Sequence, residues 1–482
     1  MNPLVIVLLG TVAVLGCILA LRLHAFLALI IGALLVASLT SAAQLEMFAK
    51  TVKKMPQKEA IEFAKLPAGE RITAEFGSAC GKLGVLIALA SIVGKCMMDS
   101  GAADRVVRSI TRVLGEARAP LGFLLSGFVL SIPVFFDTVF LLMVPLCKAM
   151  WMRTRKNYVL YFMAVIATGS MNHSLFPLTP GPLYLATNLN IDKGLMMLMA
   201  TVVGFVSACA GMLYAVWIDR RLQLPVRDSI QAPLAELEAI SKVDESSLPP
   251  LWLSLMPVLL PVLLIGGTTA IKNTWSAEQI AGFSKLAQNA IATVRWFGDP
   301  NIALMLSAGI AIATLASAKS ASKRTLNDAI RPALADAGQI LLIIAAGAAF
   351  GGALQQTGIG QMISEAISGH QHFVLPIAFL VTVFVRGAQG SATVAMITAA
   401  GIFAGMATKE QLGFNPVYLA LVIGCGSKPL SWMNDSGFWV IGKMSGLTES
   451  ETLKTFSAQV SIEGTVGALV VLVLSRVMPM VG

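Results

Sequence analysis

The sequence predicts an all-α polytopic membrane protein: two inverted-topology repeats, each with about five transmembrane helices and one re-entrant hairpin, and with discontinuous helices. Three observations predict it. Of 482 residues, 56% are apolar and only 13% charged, and mean hydropathy is +0.77, whereas soluble domains carry about 25% charged residues. Apolar runs at 3–21, 26–42, 196–217 and 255–271 each approach the roughly 20 residues that cross a bilayer. The second half of the chain also repeats the first.

The repeat is read from two matches. LIALASIVGKCMMDSG (86–101) resembles IIAAGAAFGGALQQTG (343–358) at an offset of 257, which pairs Gly81 with Gly338, Gly94 with Gly351 and Gly101 with Gly358. MNHSLF (171–176) recurs as MNDSGF (433–438), four of six letters, at an offset of 262. The matches are collinear, as a duplication requires. On this reading both phrases mark the same helix break, and His173 against Asp435 is where a symmetric scaffold becomes an asymmetric site. The first repeat is 1–217, a charged, proline-containing cytoplasmic linker is 218–249, and the second repeat is 250–482.

Each element follows from its own residues. The long apolar segments 121–147 and 376–402 are interrupted at their centres, leaving about a dozen apolar residues on either side, too few for a span. Each predicts a hairpin of two half-helices, a backbone tolerated at membrane depth only when buried in protein or lining a cavity. Broken helices are expected at about 157–187, from Pro177, Pro180, Gly181 and Pro182, and at about 416–445, from Gly424, Gly426, Pro429 and Gly437, because these residues interrupt a helix. The opening segment has no Lys or Arg before it and no small-residue cleavage site, so it is not read as a signal peptide.

Loop charge orients the halves. Segments 148–156 (Lys148, Arg153, Arg155, Lys156) and 319–331 (Lys319, Lys323, Arg324) are basic and therefore cytoplasmic. With 121–147 a hairpin, loop 99–120 with Arg105, Arg108, Arg112 and Arg118 is cytoplasmic too. The matching loops 357–372 and 404–415 hold only Lys409 and no Arg, and fall outside. The halves thus face opposite ways with both termini outside. Loop 43–75 also falls outside despite Lys50, Lys53, Lys54 and Lys58, and a surface amphipathic helix is expected there. The net charge of +9 is a topology signal, not a nucleic-acid footprint. The six cysteines (17, 80, 96, 147, 209, 425) form no C-x-x-C pair and read as packing residues; no disulfide framework, metal site or cofactor is expected.

Four polar clusters lie at membrane depth, where polar groups are costly and mark function. In SIPVFFDT (131–138), Pro133 stops one half-helix and Asp137 opens the next, either as an N-cap or as the acid that binds a coupling proton or cation. In RGAQGSAT (386–393), Ser391 and Thr393 stand at a half-helix N-terminus that favours an anion. Arg386 either grips a carboxylate or pairs with a structural acid. In TGSMNHSLFPLTPGP (168–182), Asn172, His173, Ser174 and Thr179 face a cavity or neighbouring protein. His173 is a ligand or proton carrier on one reading and a satisfied core residue on the other. In GCGSKPLSWMNDSGFW (424–439), Ser427, Ser431, Asn434 and Asp435 supply donors and acceptors. Lys428 either pairs with Asp435 or faces an anionic substrate. Glu463 reads as structural, and His370 and His372 as loop residues.

Inverted repeats with broken helices describe secondary transporters. No Walker A motif, H-E-x-x-H or serine nucleophile with a base is present, so neither an ATPase nor a membrane enzyme is expected, and a channel's continuous pore conflicts with two opposed hairpins. The residues suit a small hydroxylated carboxylate carried with a cation. Ser391, Thr393 and Arg386 would take the carboxylate; Asn172, His173, Thr179, Ser427, Asn434 and Asp435 the rest of the substrate; Asp137, His173 or Asp435 the cation.

These motifs carry a family likeness. FFDTVF (135–140), NHSLFPLTPGP (172–182), GDP (298–300), RGAQGSATVA (386–395) and GCGSKPLSWMNDSGFW (424–439) resemble the gluconate permease family over roughly 76–218 and 297–475. The resemblance implies proton-coupled symport of gluconate or a related sugar acid by a multi-pass protein of the inner membrane. A homodimer is implied by analogy with the broader superfamily of anion transporters with paired hairpins. Asp137 replaces the family's usual Glu, Trp432 a His, Ser436 a Pro, and Leu178 and Thr179 a Pro-His pair, while Lys428 is unusual. These departures leave open a hydroxy amino acid, or a sodium-coupled di- or tricarboxylate, as substrate.

Overall fold

Backbone groups in hydrocarbon must find partners within their own segment, and a helix supplies them. The computed structural model describes all residues except 133–134, 223, 225, 228–247, 319–325, 367–372, 434 and 481–482, and the described residues contain helices and no strand. The first half holds α1 (Pro3–Leu19), α2 (Ala25–Leu39), α3 (Ala42–Thr51), α4 (Gln57–Lys65), α5 (Ala68–Asp99) and α6 (Ala102–Leu114). It continues with α7 (Ala119–Leu130), α8 (Phe136–Thr154), α9 (Tyr158–Leu175), α10 (Pro180–Asn188) and α11 (Lys193–Arg221). The second half opens with α12 (Leu251–Thr274), α13 (Ala277–Ala281), α14 (Lys285–Phe297), α15 (Pro300–Ser317), α16 (Leu326–Gln356) and α17 (Ile359–Ala366). It closes with α18 (Val374–Gln389), α19 (Ala392–Phe403), α20 (Lys409–Leu412), α21 (Val417–Gly426), α22 (Ser436–Ser445), α23 (Glu449–Thr452) and α24 (Ala458–Val477).

Among the described residues seven helices are long and apolar enough to cross a membrane, or nine if the bent pairs α2–α3 (101°) and α6–α7 (110°) each count as one span. The shorter apolar helices are α1, α18, α19 and α21, all 10–17 residues. Helices α9 and α10 form one interrupted span, and 94% of its apolar stretch is buried. A helix apolar on every side must be surrounded by protein, and α7, α8, α11, α21 and α24 surround this one. The long helices α5 and α16 pack along each other, and Ser91 Oγ donates to Ala333 O at 2.8 Å.

Helix starts recur at one spacing. Helix α8 begins at 136 and α19 at 392; α10 begins at 180 and α22 at 436, a displacement of 256 in both pairs. Helix α11 spans 193–221, and α23 with α24 runs from 449 to 477, again 256 on. This register corrects the phrase match at 262. MNHSLF closes α9, before its break, whereas MNDSGF straddles the start of α22, after its break. At the helical spacing Asp435 corresponds to Thr179, and both are N-caps.

Two local expectations also change. Lys148 is not a loop residue: it lies inside α8 and is fully buried, because α8 runs on to Thr154. Segment 43–75 is a pair of helices, α3 and α4, and the start of α5. Leu45, Phe48, Ala49, Ala60 and Phe63 give the α3–α4 pair its own small core, and Lys53 Nζ sits 4.6 Å over the Phe63 ring. Pro133, Asn434, Lys319, Lys323, Arg324, His370, His372 and most of the linker lie outside the described residues.

Candidate functional site

A cavity of about 470 Å³ collects residues from all four polar clusters. Four helices begin at its wall. It is lined by Phe135 to Thr138 at the start of α8, Pro180 at the start of α10, Gly390 to Thr393 at the start of α19, and Asp435 to Gly437 at the start of α22. Each helix start presents free N–H groups and the positive end of a dipole, so the four together favour an anion at their meeting point. The breaks have local causes. Gly390 ends α18 at φ 77°, a left-handed conformation that suits glycine. Ser391 then caps α19 by accepting from Val394 N at 3.3 Å.

Among the described residues, the charged side chains of the cavity divide into one ion pair and groups outside it. Arg386, in the last turn of α18, donates through Nη2 to Asp435 Oδ2, and the side chains are 5% and 11% exposed. Arg386 Nη2 also donates to Ser431 Oγ at 2.8 Å, Ser431 Oγ donates to Asp435 Oδ2, and Gly437 N donates to Asp435 Oδ1 at 3.0 Å. Arg386 Nε and Nη1 are buried without a hydrogen-bond partner among the described residues. Lys428 is buried and lines the cavity. Asp435 pairs with Arg386 rather than with Lys428, because its carboxylate is turned by capping α22.

Asp137 is not the cap of α8. That position is Phe135, with no side-chain cap, and Asp137 stands in the first turn, exposed to the cavity. His173, in the last turn of α9, also lines the cavity, and its Nδ1 is buried without a partner among the described residues.

Residues 59–477 match the profile of the GntP family permease. The chain belongs to this family. It is 32% identical over 458 residues to the low-affinity gluconate transporter of Escherichia coli, covering 93% of each chain. It is 32% identical to the gluconate permease of Pseudomonas aeruginosa, over 84% of this chain and 86% of that one. Its fold is similar to the crystal structure of the YdaH transporter of Alcanivorax borkumensis, at a TM-score of 0.59 and 14% identity, covering 95% and 99% of the two chains. MtrF of Neisseria gonorrhoeae gives 0.57 and 14% over 85% and 83%. This GntP family permease is therefore a multi-pass membrane transporter and not an enzyme.

Of the residues singled out in the sequence, Asp137, His173, Arg386, Ser391, Thr393 and Asp435 meet at the permease's cavity. Four others, Asn172, Ser174, Thr179 and Ser427, do not line it. Asn172 Nδ2 donates to Phe128 O and Ser131 Oγ, both at 2.9 Å, tying α9 to α7. Thr179 Oγ1 donates to His173 O and Phe176 O at 2.9 Å, closing the break between α9 and α10. Ser427 Oγ donates to Gly424 O at 2.7 Å and meets Ser174 Oγ at 2.9 Å. The cavity also gains Ser170, Asp336 and Gln339. Ser170 belongs to the same helix face as His173, three residues on, a spacing that could have flagged it. Asp336 and Gln339 lie on an unbroken helix, α16, and nothing in the surrounding sequence distinguishes them.

Proposed function

We propose that the protein is a secondary active transporter that imports gluconate or a related small hydroxycarboxylate by proton symport across the inner membrane. The convergence of four helix starts, Arg386 and Lys428 on one cavity is the observation that carries this reading. The cavity lies within the range of about 300–1,000 Å³ usual for small-molecule sites. Ser391, Thr393, Lys428 and the open N–H groups of Arg386 hold the carboxylate. Asp435, fixed by Arg386, and His173 receive hydroxyls. With Arg386 committed to Asp435, Lys428 is the one remaining lining cation among the described residues, set against Asp137 and Asp336, which favours a monocarboxylate over a citrate-like anion.

Cation coupling follows from charge. Moving an anion inward against an inside-negative potential costs about 2.3 kcal/mol per 100 mV, and one cotransported proton removes that cost. Asp137 exchanges the proton with water, because Asp435 is occupied by Arg386. Two inverted repeats, each with a re-entrant hairpin, supply the alternating access, and the 256-residue recurrence of helix starts and the loop charges support that arrangement. The transporter works as a homodimer on the same analogy. Asp137 facing the carboxylate-binding groups also favours a second reading, a zwitterionic hydroxy amino acid whose ammonium meets Asp137.

Proteoliposome uptake of gluconate, glycerate, serine and citrate under imposed proton and sodium gradients tests the reading. Gluconate or glycerate accumulating with the proton gradient is expected. Accumulation of serine alone selects the second reading, and accumulation of none of the four refutes both.

A further inference from the structure

Glu463 is the buried acid that the site described above leaves unused. It sits inside α24, fully buried, beside the cavity but not in its wall. Its Oε2 accepts from Ser170 Oγ at 2.7 Å, and Ser170 is itself a cavity-lining residue. Its Oε1 has no hydrogen-bond partner among the described residues. The groups facing it are Ser170 from α9, Gly211 from α11, Gln459 from its own helix and Lys428 from the break between α21 and α22.

The packing around it is specific. A Cβ at Gly211 would stand 2.0 Å from Glu463 Oε1, so only glycine leaves α11 room for the carboxyl. A Cβ at Gly464 would meet Cys425 O at 2.5 Å and Lys428 Cβ at 2.8 Å, so α24 lies directly against the Lys428 break. Gln459, one turn before Glu463, donates through Nε2 to Met163 O at 2.9 Å, which fixes its amide and leaves its Oε1 buried and without a donor. Two neighbouring side chains thus each present an oxygen acceptor that lacks a proton. A buried acceptor left unsatisfied is costly, and Gln459 is the side chain beside the carboxyl on the same helix, so a proton on Glu463 supplies this pair with a donor. An ionised Glu463 instead has Lys428 as its counter-charge.

We infer that Glu463 is a proton-holding site of the transport cycle, connected to the cavity through the Ser170 hydroxyl and opposed to Lys428. Ser170 passes its hydroxyl proton to Oε2 and takes another from a cavity water that carries a proton from solution and is left as neutral water, so one proton moves from solution to Glu463 and only O–H bonds are exchanged. Rotation of the carboxyl then turns its O–H toward Gln459 Oε1. With Glu463 protonated, Lys428 loses one of its acidic neighbours and its charge is presented to the substrate carboxylate. Proton release returns Lys428 to Glu463 and weakens substrate binding. This rests on the proton-symport reading above and adds the residue that couples the two ligands.

The test is Glu463→Gln in proteoliposomes, with gluconate as probe. For one proton per gluconate, wild type accumulates about tenfold per unit of imposed pH gradient. The variant is expected to lose this, its accumulation ratio falling to about 1, while gluconate–gluconate exchange continues without a gradient. Ser170→Ala is expected to reach the wild-type ratio more slowly. Wild-type accumulation by Glu463→Gln overturns the inference and leaves symport standing. Loss of exchange together with accumulation also overturns it, by giving Glu463 a packing role. If wild type itself shows no proton-driven accumulation, the symport reading fails first.

Discussion

Arg386 separates a structural ion pair from a substrate-binding group. In Arg386→Gln, Asp435 loses its partner while keeping Ser431 Oγ and Gly437 N as donors. Removing one member of a buried pair costs about 3–5 kcal/mol, and the two surviving donors make the lower end the expectation. Transport suffers separately. A hydrogen bond to a charged group contributes about 1.5–3 kcal/mol, so the half-saturating gluconate concentration should rise about 10- to 150-fold at 1.4 kcal/mol per decade. The double variant Arg386→Gln with Asp435→Asn replaces two charges by two amides. Such a neutral exchange at a buried pair is often close to energetically neutral, so thermal stability should return while transport stays impaired. Thermal unfolding of the purified protein and concentration-dependent uptake read the two effects. If the double variant regains wild-type half-saturation, Arg386 is only the counter-ion of Asp435 and the carboxylate site is misassigned.

Four further variants have expected outcomes. Asp137→Asn should slow proton-driven uptake by about tenfold or more, equivalent to ~1.4 kcal/mol; unchanged coupled uptake would exclude Asp137 from the proton path. Gly401→Ala sets a Cβ 2.4 Å from Gly351 Cα on the facing helix, an overpacking of backbone against backbone that should cost about 1–3 kcal/mol or more. Gly16→Ala, with nothing within 4 Å, should leave the unfolding temperature unchanged or raised. Asp192 caps α11, accepting from Leu195 N at 3.0 Å and from Thr269 Oγ1 at 2.6 Å. Burial pushes its carboxyl up, but Thr269, Leu195 and Lys272 together hold it below the ordinary carboxylate value. A depressed value means the contribution is present above the unfolded pKa near 4 and is lost as pH falls through the folded one. Asp192→Asn keeps a capping oxygen but loses the charge, so it should lower the unfolding temperature at neutral pH by the equivalent of about 0.3–1 kcal/mol, with the gap to wild type closing below about pH 4; a gap independent of pH would refute the assignment.

The segments that break were legible because proline and glycine act locally. Pro180, Gly181 and Pro182 can be read without knowing any neighbour, and α10 begins at Pro180. Register was less legible. The letters of MNHSLF and MNDSGF matched at 262, yet the helices recur at 256, because short similarities between old repeats drift while helix boundaries are held by packing. Lys148 misled for a related reason: a basic residue near a loop looks like a topology signal until the helix is seen to continue past it.

By itself the sequence determined the helical membrane class, the family and the residues on which the polar breaks fall, since hydrocarbon and proline constrain each segment in isolation. Which polar groups share a cavity was decided only by tertiary structure. Asn172 and His173 are adjacent in sequence, but successive residues point about 100° apart around a helix. One therefore ties α9 to α7 while the other faces the cavity. The partner of Asp435 was decided in the same way. Lys428 is seven residues away in the chain, yet Arg386 of α18 reaches the carboxylate, because helix crossing, not sequence distance, brings charges together.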